Sequence, residues 1–306
     1  MPDLGKYAEA VLSSYAVSIL MIVVLVLLSV LPVLLGADQP AKKPKPLSPI
    51  RRIQKLSYDF KDAGKEMEYG LFVPSSYESE PEARKLFPLV VALHGLGSNP
   101  QQILHYPGLV NLAEKHGYIV VAPMGYNSRG WYGVQGQRSK FWKPMNLGAL
   151  SEQDVMNVFE IVRDEFNIDA NRIYLWGHSM GGAGTYYIAS RYPDIWAGLA
   201  AAAGGGMSAD YVDQDAIRHI PFLVLHGSED GTVPVERSRA SVARMRELGM
   251  EHLYVEIAGG DHSLFISQGK DVVGAVRFLQ HRREDALNPK RTWVFHVAQA
   301  FRPAWA

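Results

Sequence analysis

The 306-residue sequence contains no cysteine. Disulfide bonds, a thiol nucleophile and a thiolate metal site are therefore excluded. Net charge is also absent, since 31 Lys and Arg balance 31 Asp and Glu, and no block rich in Lys and Arg falls within the part expected to fold. A nucleic-acid partner therefore has little electrostatic support.

Charge is missing altogether from residues 10–37. Within this segment, residues 17–35 are predominantly apolar over a length that spans a bilayer as a helix. Two interpretations stay open: residues 1–37 form a cleaved signal peptide, or they form a membrane anchor. The Lys and Arg residues that follow would, by themselves, favour a cytoplasmic domain. We nevertheless expect an exported protein, periplasmic or secreted, or one anchored in a membrane through this segment.

The remainder of the chain is long enough for one large domain. Residues 38–55 are rich in Pro and Lys and predict an extended linker. Residues 56–287 are the predicted catalytic domain. Residues 288–306 form a tail of aromatic and basic residues, for which membrane contact, docking on the domain and disorder all stay open.

Short apolar runs alternate with helical patterns through the predicted domain. Such runs are typical of strands buried on both faces of a sheet. They cover residues 87–95, 118–125, 172–177, 196–204, 221–227 and 253–259. Residues 151–166 and 235–249 have helical periodicity, and Ser151 is the expected start of the first helix. The sequence therefore predicts an α/β fold with a mostly parallel sheet, and antiparallel strands at 67–74 and near Leu56.

The stretch from Gly177 to Gly181, GHSMG, matches the GxSxG pattern between a predicted strand and a predicted helix. In that context the pattern predicts a nucleophile elbow, a tight turn that lifts the hydroxyl of Ser179 clear of the sheet. Side chains at 177 and 181 would collide with neighbouring backbone in such a turn. Each glycine inside a helix costs about 1 kcal/mol relative to alanine. A turn that serves packing alone would rarely retain such a cost, so the pattern favours a functional serine.

A serine becomes nucleophilic when a base takes its proton, and in this topology an acid and then a histidine follow the serine. His262 comes just after the carboxyl end of a predicted strand, so it is the predicted base. Asp230 follows the 221–227 strand and is the predicted acid, with Glu229 as its competitor. The remaining histidines after Ser179 are less well placed: His219, His226, His252, His281 and His296.

An oxyanion hole requires backbone donors near the serine. The N–H of Met180 is the predicted first donor, and the N–H of Leu96 in LHGLG is the predicted second. His94 is expected to hold this loop by hydrogen bonding.

The connection 126–150 is unusually long and aromatic. We expect Trp131, Tyr132 and Trp142 to bind substrate as part of a wall against an aromatic or extended acyl group. Packing of these rings on one another to hold the loop is the alternative. The connection between the strands at 196–204 and 221–227 is too short for a large lid domain.

The motifs LHGLG, GHSMGG, HGSEDGTVP and GGDH occur in this order over about residues 65–284. In these motifs the sequence resembles the α/β-hydrolase superfamily, and within it the bacterial esterases related to polyhydroxybutyrate depolymerases, feruloyl esterases and phospholipase/carboxylesterases. The resemblance implies hydrolysis of small-molecule or polymeric esters through an acyl-enzyme, without a cofactor. A prolyl-oligopeptidase-like serine peptidase, an acyltransferase and a non-catalytic binding protein on the same fold are the alternatives.

Overall fold

The computed structural model describes residues 47–78, 85–138, 143–206 and 211–263. Within these ranges the strands are β1 (Gln54–Phe60), β2 (Lys65–Phe72), β3 (Phe87–Leu93), β4 (Ile119–Pro123), β5 (Ile168–His178), β6 (Gly198–Ala202), β7 (Phe222–Gly227) and β8 (His252–Ile257). The helices are α1 (Ser75–Glu78), α2 (Pro100–Leu104), α3 (Leu109–His116), α4 (Leu147–Glu165), α5 (Met180–Arg191) and α6 (Val235–Glu247). Short 3-10 turns occur at Pro49–Arg52, Lys61–Ala63 and Trp131–Gly133.

The strands form one sheet in the order β1-β2-β4-β3-β5-β6-β7-β8. The β1–β2 and β2–β4 pairs are antiparallel, and the pairs from β3 to β8 are parallel. The predicted fold class, with antiparallel strands at its start, is therefore confirmed. The strand order reverses at β3, which lies between β4 and β5, and such a switch point opens a crevice at the carboxyl ends of the strands.

Apolar side chains cover both faces of the sheet. Strands β3, β4, β6 and β7 are buried at every position. Alternate residues of β3 face opposite sides, so Leu89 and Val91 pack in the cluster that contains α4, while Val90 packs in the cluster that contains α3. Helix α4 packs one apolar face against the sheet, and its residues are buried: Val155, Val158, Phe159 and Val162.

Two boundaries differ from the sequence prediction. Helix α4 begins at Leu147, so the prediction that Ser151 starts the helix is wrong. The buried Ser151 hydroxyl instead donates to the carbonyl of Gly125 at 2.7 Å and accepts the N–H of Tyr132 at 3.0 Å. At the start of the domain, β1 begins at Gln54 because it pairs with β2, so the predicted linker 38–55 extends too far.

Three predictions fall outside the described residues: the N-terminal segment 1–37, Trp142, and the tail 288–306. In the ranges that the structure does describe, no helix combines the length and the apolar character needed to cross a bilayer. The connection between β6 and β7 covers only residues 203–221, in line with the predicted absence of a large lid domain.

Candidate active site

Parallel pairing brings the ends of the central strands to one rim. Leu93 at the end of β3 pairs with Gly177 of β5, and His178 pairs with Ala202 at the end of β6. The loops that leave β3, β5, β7 and β8 therefore start side by side. These loops carry the side chains selected from the sequence, and the loops after β3 and β5 lie at the switch point of the sheet.

Ser179 lies between β5 and α5 with φ 56° and ψ −119°. A non-glycine residue adopts a positive φ only at a cost in strain, on the order of 1–3 kcal/mol. A Cβ atom at Gly177 would collide with the carbonyl of Gly181, and one at Gly181 would collide with the carbonyl of Leu93. Glycine is therefore required on both sides of the serine, which confirms the packing reason predicted from the motif.

The three polar side chains selected from the sequence form a hydrogen-bonded chain. His262 Nε2 lies 2.9 Å from Ser179 Oγ, and His262 Nδ1 lies 2.7 Å from Asp230 Oδ2. A neutral ring whose Nδ1–H donates to the carboxylate keeps Nε2 free to accept the serine proton. Glu229, the competing acid, is exposed, and among the described contacts no hydrogen bond joins it to His262.

Several donors hold the Asp230 carboxylate in its charged form. Oδ1 accepts the N–H groups of Thr232 at 2.9 Å and Val233 at 2.8 Å, and Oδ2 also lies 3.1 Å from His226 Nε2. Burial alone would raise the pKa of Asp230, but the Val233 N–H, the His262 ring and the Thr232 N–H together outweigh it and lower the pKa. The carboxylate is therefore ionised near neutral pH.

A second histidine, His178, joins the elbow to the loop of His262. Its Nε2 lies 3.1 Å from the carbonyl oxygen of His262, and its Nδ1 lies 2.8 Å from the hydroxyl of Tyr106. Burial, and then the charge of a protonated His262, lower the pKa of His178 to about 4. The ring is therefore neutral at pH 7, donating from Nε2 to the backbone of His262 and accepting the Tyr106 O–H at Nδ1.

The sequence analysis missed His178, Tyr106 and His226 as members of this cluster. His178 occupies a variable position of GxSxG, and Tyr106 lies in a loop without a motif. His226 carries a usable signal, because it lies near the carboxyl end of β7 just before the acid. A triad needs one histidine, so chain order alone gives no reason to expect a second one beside the carboxylate.

The loop after β3 is fixed beside the elbow. His94 Nε2 lies 2.9 Å from the carbonyl oxygen of Met124, and the N–H of Gly97 donates to the carbonyl of Ser128 at 2.8 Å. The prediction that His94 holds this loop by hydrogen bonding is thus confirmed. Leu96 lies between these two anchors with its side chain 52% exposed. The donor role of its N–H stays a prediction.

Two clefts meet at Ser179. The first, here the histidine cleft, has a volume of about 610 Å³ and is lined by Leu96, Gln101, Gln102, Tyr106, His178 and His262. The second, here the tryptophan cleft, has a volume of about 450 Å³ and is lined by Trp131, Val134, Met180, Gly205, Tyr211 and Arg237. Met180 is the first residue of α5, where helical hydrogen bonding leaves backbone N–H groups unused. Its N–H therefore remains the predicted first oxyanion donor.

The aromatic residues of the long connection divide into two roles. Trp131 lines the tryptophan cleft. Tyr132 is completely buried, its hydroxyl donates to the carbonyl of His94 at 3.1 Å, and its ring occupies the space that a Cβ at Gly184 would need. The prediction that Tyr132 contacts substrate is therefore wrong, because the ring packs under the loop instead.

Helix α4 supports this connection with buried polar side chains. Asp154 Oδ2 accepts the N–H groups of Gly125 at 2.6 Å and Tyr126 at 3.2 Å, and Glu152 accepts the side-chain amide of Gln137. Packing that holds the loop, the alternative to substrate binding, therefore describes the base of the connection, whereas Trp131 lies at the tryptophan cleft. The helical pattern missed this role because it assigns polar residues to solvent.

The mostly parallel sheet, with a strained serine where β5 turns into α5, defines the α/β-hydrolase class. The sequence profile of the family described as Phospholipase/Carboxylesterase matches residues 78–279, more than half of the chain. The chain belongs to this family.

Named relatives and a solved structure agree with this classification. The chain is 26% identical to feruloyl esterase D of Neurospora crassa over 76% of this chain and 82% of that one. It is also 26% identical to a bifunctional acetylxylan esterase/xylanase of Neocallimastix patriciarum, over 52% of this chain but only 22% of that one. The crystal structure of a thermostable esterase superposes with a TM-score of 0.59 at 26% identity, covering 76% of this chain and 64% of that one. The chain spans about half the length, or less, of several other curated esterases that it matches.

Proposed function

We propose that this protein is a serine carboxylesterase. Ser179 Oγ attacks the ester carbonyl while His262 Nε2 takes the hydroxyl proton, and Asp230 stabilises the resulting imidazolium. The same proton then passes to the leaving alkoxide, which departs as an alcohol and leaves an acyl-enzyme. Water, activated by His262, cleaves the acyl-enzyme to release the carboxylic acid and restore Ser179.

The observation that carries this proposal is the continuous hydrogen-bonded chain from Ser179 through His262 to Asp230. The distances of 2.9 and 2.7 Å lie in the range that proton transfer and ring orientation require. Strain at the serine adds support, because it aims Oγ out of the sheet toward both clefts.

The N–H groups of Met180 and Leu96 are the proposed donors to the oxyanion of the tetrahedral intermediate. Met180 lines the tryptophan cleft and Leu96 lines the histidine cleft, and Ser179 lines both. Removing one donor of this kind costs about 3–4 kcal/mol of transition-state stabilisation. Neither donor uses a side chain, so no single side-chain deletion removes the oxyanion hole.

The test is labelling with a fluorophosphonate together with hydrolysis of p-nitrophenyl esters. The wild-type protein should label at Ser179 and release p-nitrophenol from acetyl and feruloyl esters, whereas Ser179→Ala should do neither. Ser190→Ala is the matched control, because Ser190 lies on the same helix and its hydroxyl only bonds the carbonyl of Tyr187. Labelling that persists in Ser179→Ala would reject the assignment.

The same triad would serve a serine peptidase or an acyltransferase, so the leaving group and the acceptor decide between them. Short proline-containing amides that turn over faster than esters would identify a peptidase. An added alcohol that appears in the product as a new ester would identify an acyltransferase. Support for the esterase comes from the family and from relatives that are named esterases.

We further propose that residues 1–37 direct export or anchor the protein in a membrane. The support is the uncharged apolar stretch within 10–37. Fractionation of cells expressing the full chain should recover ester hydrolysis in the medium, the periplasm or the membrane fraction. Activity confined to the cytosol of such cells would reject this proposal.

A further inference from the structure

The two clefts at Ser179 differ in their access to the proton donor, and this difference assigns each cleft to one part of an ester. The argument rests on the proposed esterase function. During ester cleavage, protonated His262 must lie within hydrogen-bond reach of the leaving oxygen. His262 lines the histidine cleft and does not line the tryptophan cleft. The alcohol therefore leaves through the histidine cleft, and the acyl group occupies the tryptophan cleft.

The tryptophan cleft has a distinctive electrostatic character. Among the described residues that line it, Arg237 is the one charged side chain, and the others are small, apolar, aromatic or hydroxyl-bearing. Arg237 lies in the first turn of α6, is exposed, and lines the cleft together with Gly205. A Cβ atom at Gly205 would lie 3.7 Å from Cδ and 3.9 Å from Nη1 of Arg237. These are ordinary van der Waals distances, so the Arg237 side chain lies directly beside the backbone of Gly205.

Arg237 also differs from Arg239 and Arg244 of the same helix. Arg239 donates to Glu256 at 2.9 Å, and Arg244 donates to Glu247 at 2.9 Å. No described carboxylate lies within ion-pair distance of Arg237. A guanidinium that faces a substrate cleft and has no ion-pair partner among the described carboxylates can form a bidentate bond to an anion.

We propose that the tryptophan cleft binds acyl groups that end in a carboxylate, with Arg237 as the residue that recognises the anion. The acyl carbonyl lies at Ser179, the chain or ring passes Trp131, and the distal carboxylate meets the guanidinium. The preferred substrates are then monoesters of dicarboxylic acids, as opposed to esters of uncharged acids of the same length.

The experiment compares two p-nitrophenyl esters with the same six-carbon acyl chain, the adipate monoester and the hexanoate. The adipate carboxylate is too far from its ester to cleave it efficiently by forming a small anhydride ring. The measured quantity is the ratio of kcat/KM for the anionic ester to that for the neutral ester, at low and at high salt. The variants are Arg237→Gln and Arg237→Glu, with Arg246→Gln as the control. Arg246 is exposed on the same helix, nine residues on and about 14 Å along the axis, and it lines neither cleft.

We expect the ratio to fall about fivefold in Arg237→Gln, the scale of an exposed ion pair, and further in Arg237→Glu. Arg246→Gln should keep the wild-type ratio, and high salt should lower the ratio of the wild type but not of Arg237→Gln. If all variants hydrolyse the hexanoate and show the same ratio, the assignment of the acyl site is wrong, but the esterase function stands. A wild-type protein that hydrolyses neither ester and does not react with fluorophosphonate would overturn the esterase function with it.

Discussion

Replacing Asp230 with asparagine tests the proposed mechanism at its most constrained contact. Asp230 Oδ1 accepts two backbone N–H groups, from Thr232 and Val233, while Oδ2 lies 2.7 Å from His262 Nδ1. In Asp230→Asn the amide oxygen must stay at the Oδ1 position, because only an acceptor satisfies both N–H groups. The amide NH₂ then faces the imidazole of His262.

A donor at that position reverses the tautomer of His262. Nδ1 must then accept a hydrogen bond, so the ring proton moves to Nε2, and Nε2 can no longer accept the proton of Ser179. The corresponding change in a Ser-His-Asp triad lowers kcat about 10⁴-fold, which is about 5 kcal/mol at 1.36 kcal/mol for each factor of ten. We expect a loss of this size in kcat, with little change in KM and a similarly slower reaction with fluorophosphonate.

The assay is steady-state hydrolysis of a p-nitrophenyl ester, with thermal melting to verify folding. Asp213→Asn is the matched control, because exposed Asp213 also accepts a backbone N–H, that of Ala216 at 3.1 Å. A folded Asp230→Asn protein that retains kcat within tenfold of the wild type would refute the tautomer argument. A larger loss in Glu229→Gln than in Asp230→Asn would show that the acid is misassigned.

Three further predictions concern a positioning residue, a buried acid and the cleft wall. His178→Ala removes the hydrogen bond to the backbone of His262, and we expect kcat to fall about tenfold at nearly constant KM, the scale of one buried hydrogen bond; equal kcat in the wild type and the variant would contradict this. Burial raises the pKa of Glu251 from 4.5 to about 7, so the folded state holds a proton in that window that the unfolded state has lost, and stability falls as the pH rises through it. Glu251→Gln should therefore be more stable than the wild type at pH 8, by on the order of 1 kcal/mol in the free energy of unfolding after discounting for partial exposure, and should melt at a higher temperature. The two melting temperatures should converge at pH 4; the same difference between them at both pH values would reject the shift. Trp131→Ala should lower kcat/KM about tenfold for aryl acyl groups and less for short alkyl groups, and an equal effect on both would reject the wall.

The fold and the choice of site residues were predictable where local pattern and topology act together. Buried apolar runs indicate strands such as β3 and β7, because a strand covered on both faces has few polar positions. GxSxG has one structural reason for its glycines, the collisions that a Cβ at Gly177 or Gly181 would cause. Chain order then restricted the search for the partners of Ser179 to later strand ends, where His262 and Asp230 lie.

The errors have a common physical cause, since each involves a side chain whose environment comes from a distant segment. Ser151 is a reasonable helix start by local rules, but its hydroxyl is used by the backbone of Gly125 and Tyr132. Tyr132 is aromatic and lies in a loop at the catalytic edge, yet the bare backbone of Gly184 lets its ring pack in the core. Local patterns contain no information about which chain segments lie underneath a loop.

The amino-acid sequence by itself determined the alternation of strands and helices, the strained turn at Ser179 and the order of the site residues, because these depend on periodicity, on backbone sterics and on chain direction. Tertiary structure alone decided which groups surround them. His178 contacts the backbone of His262 across 84 residues, and Arg237 and Trp131 line one cleft only because α6 and the connection after β4 converge beside the serine. Such contacts depend on the distances between folded segments, which residue order does not specify.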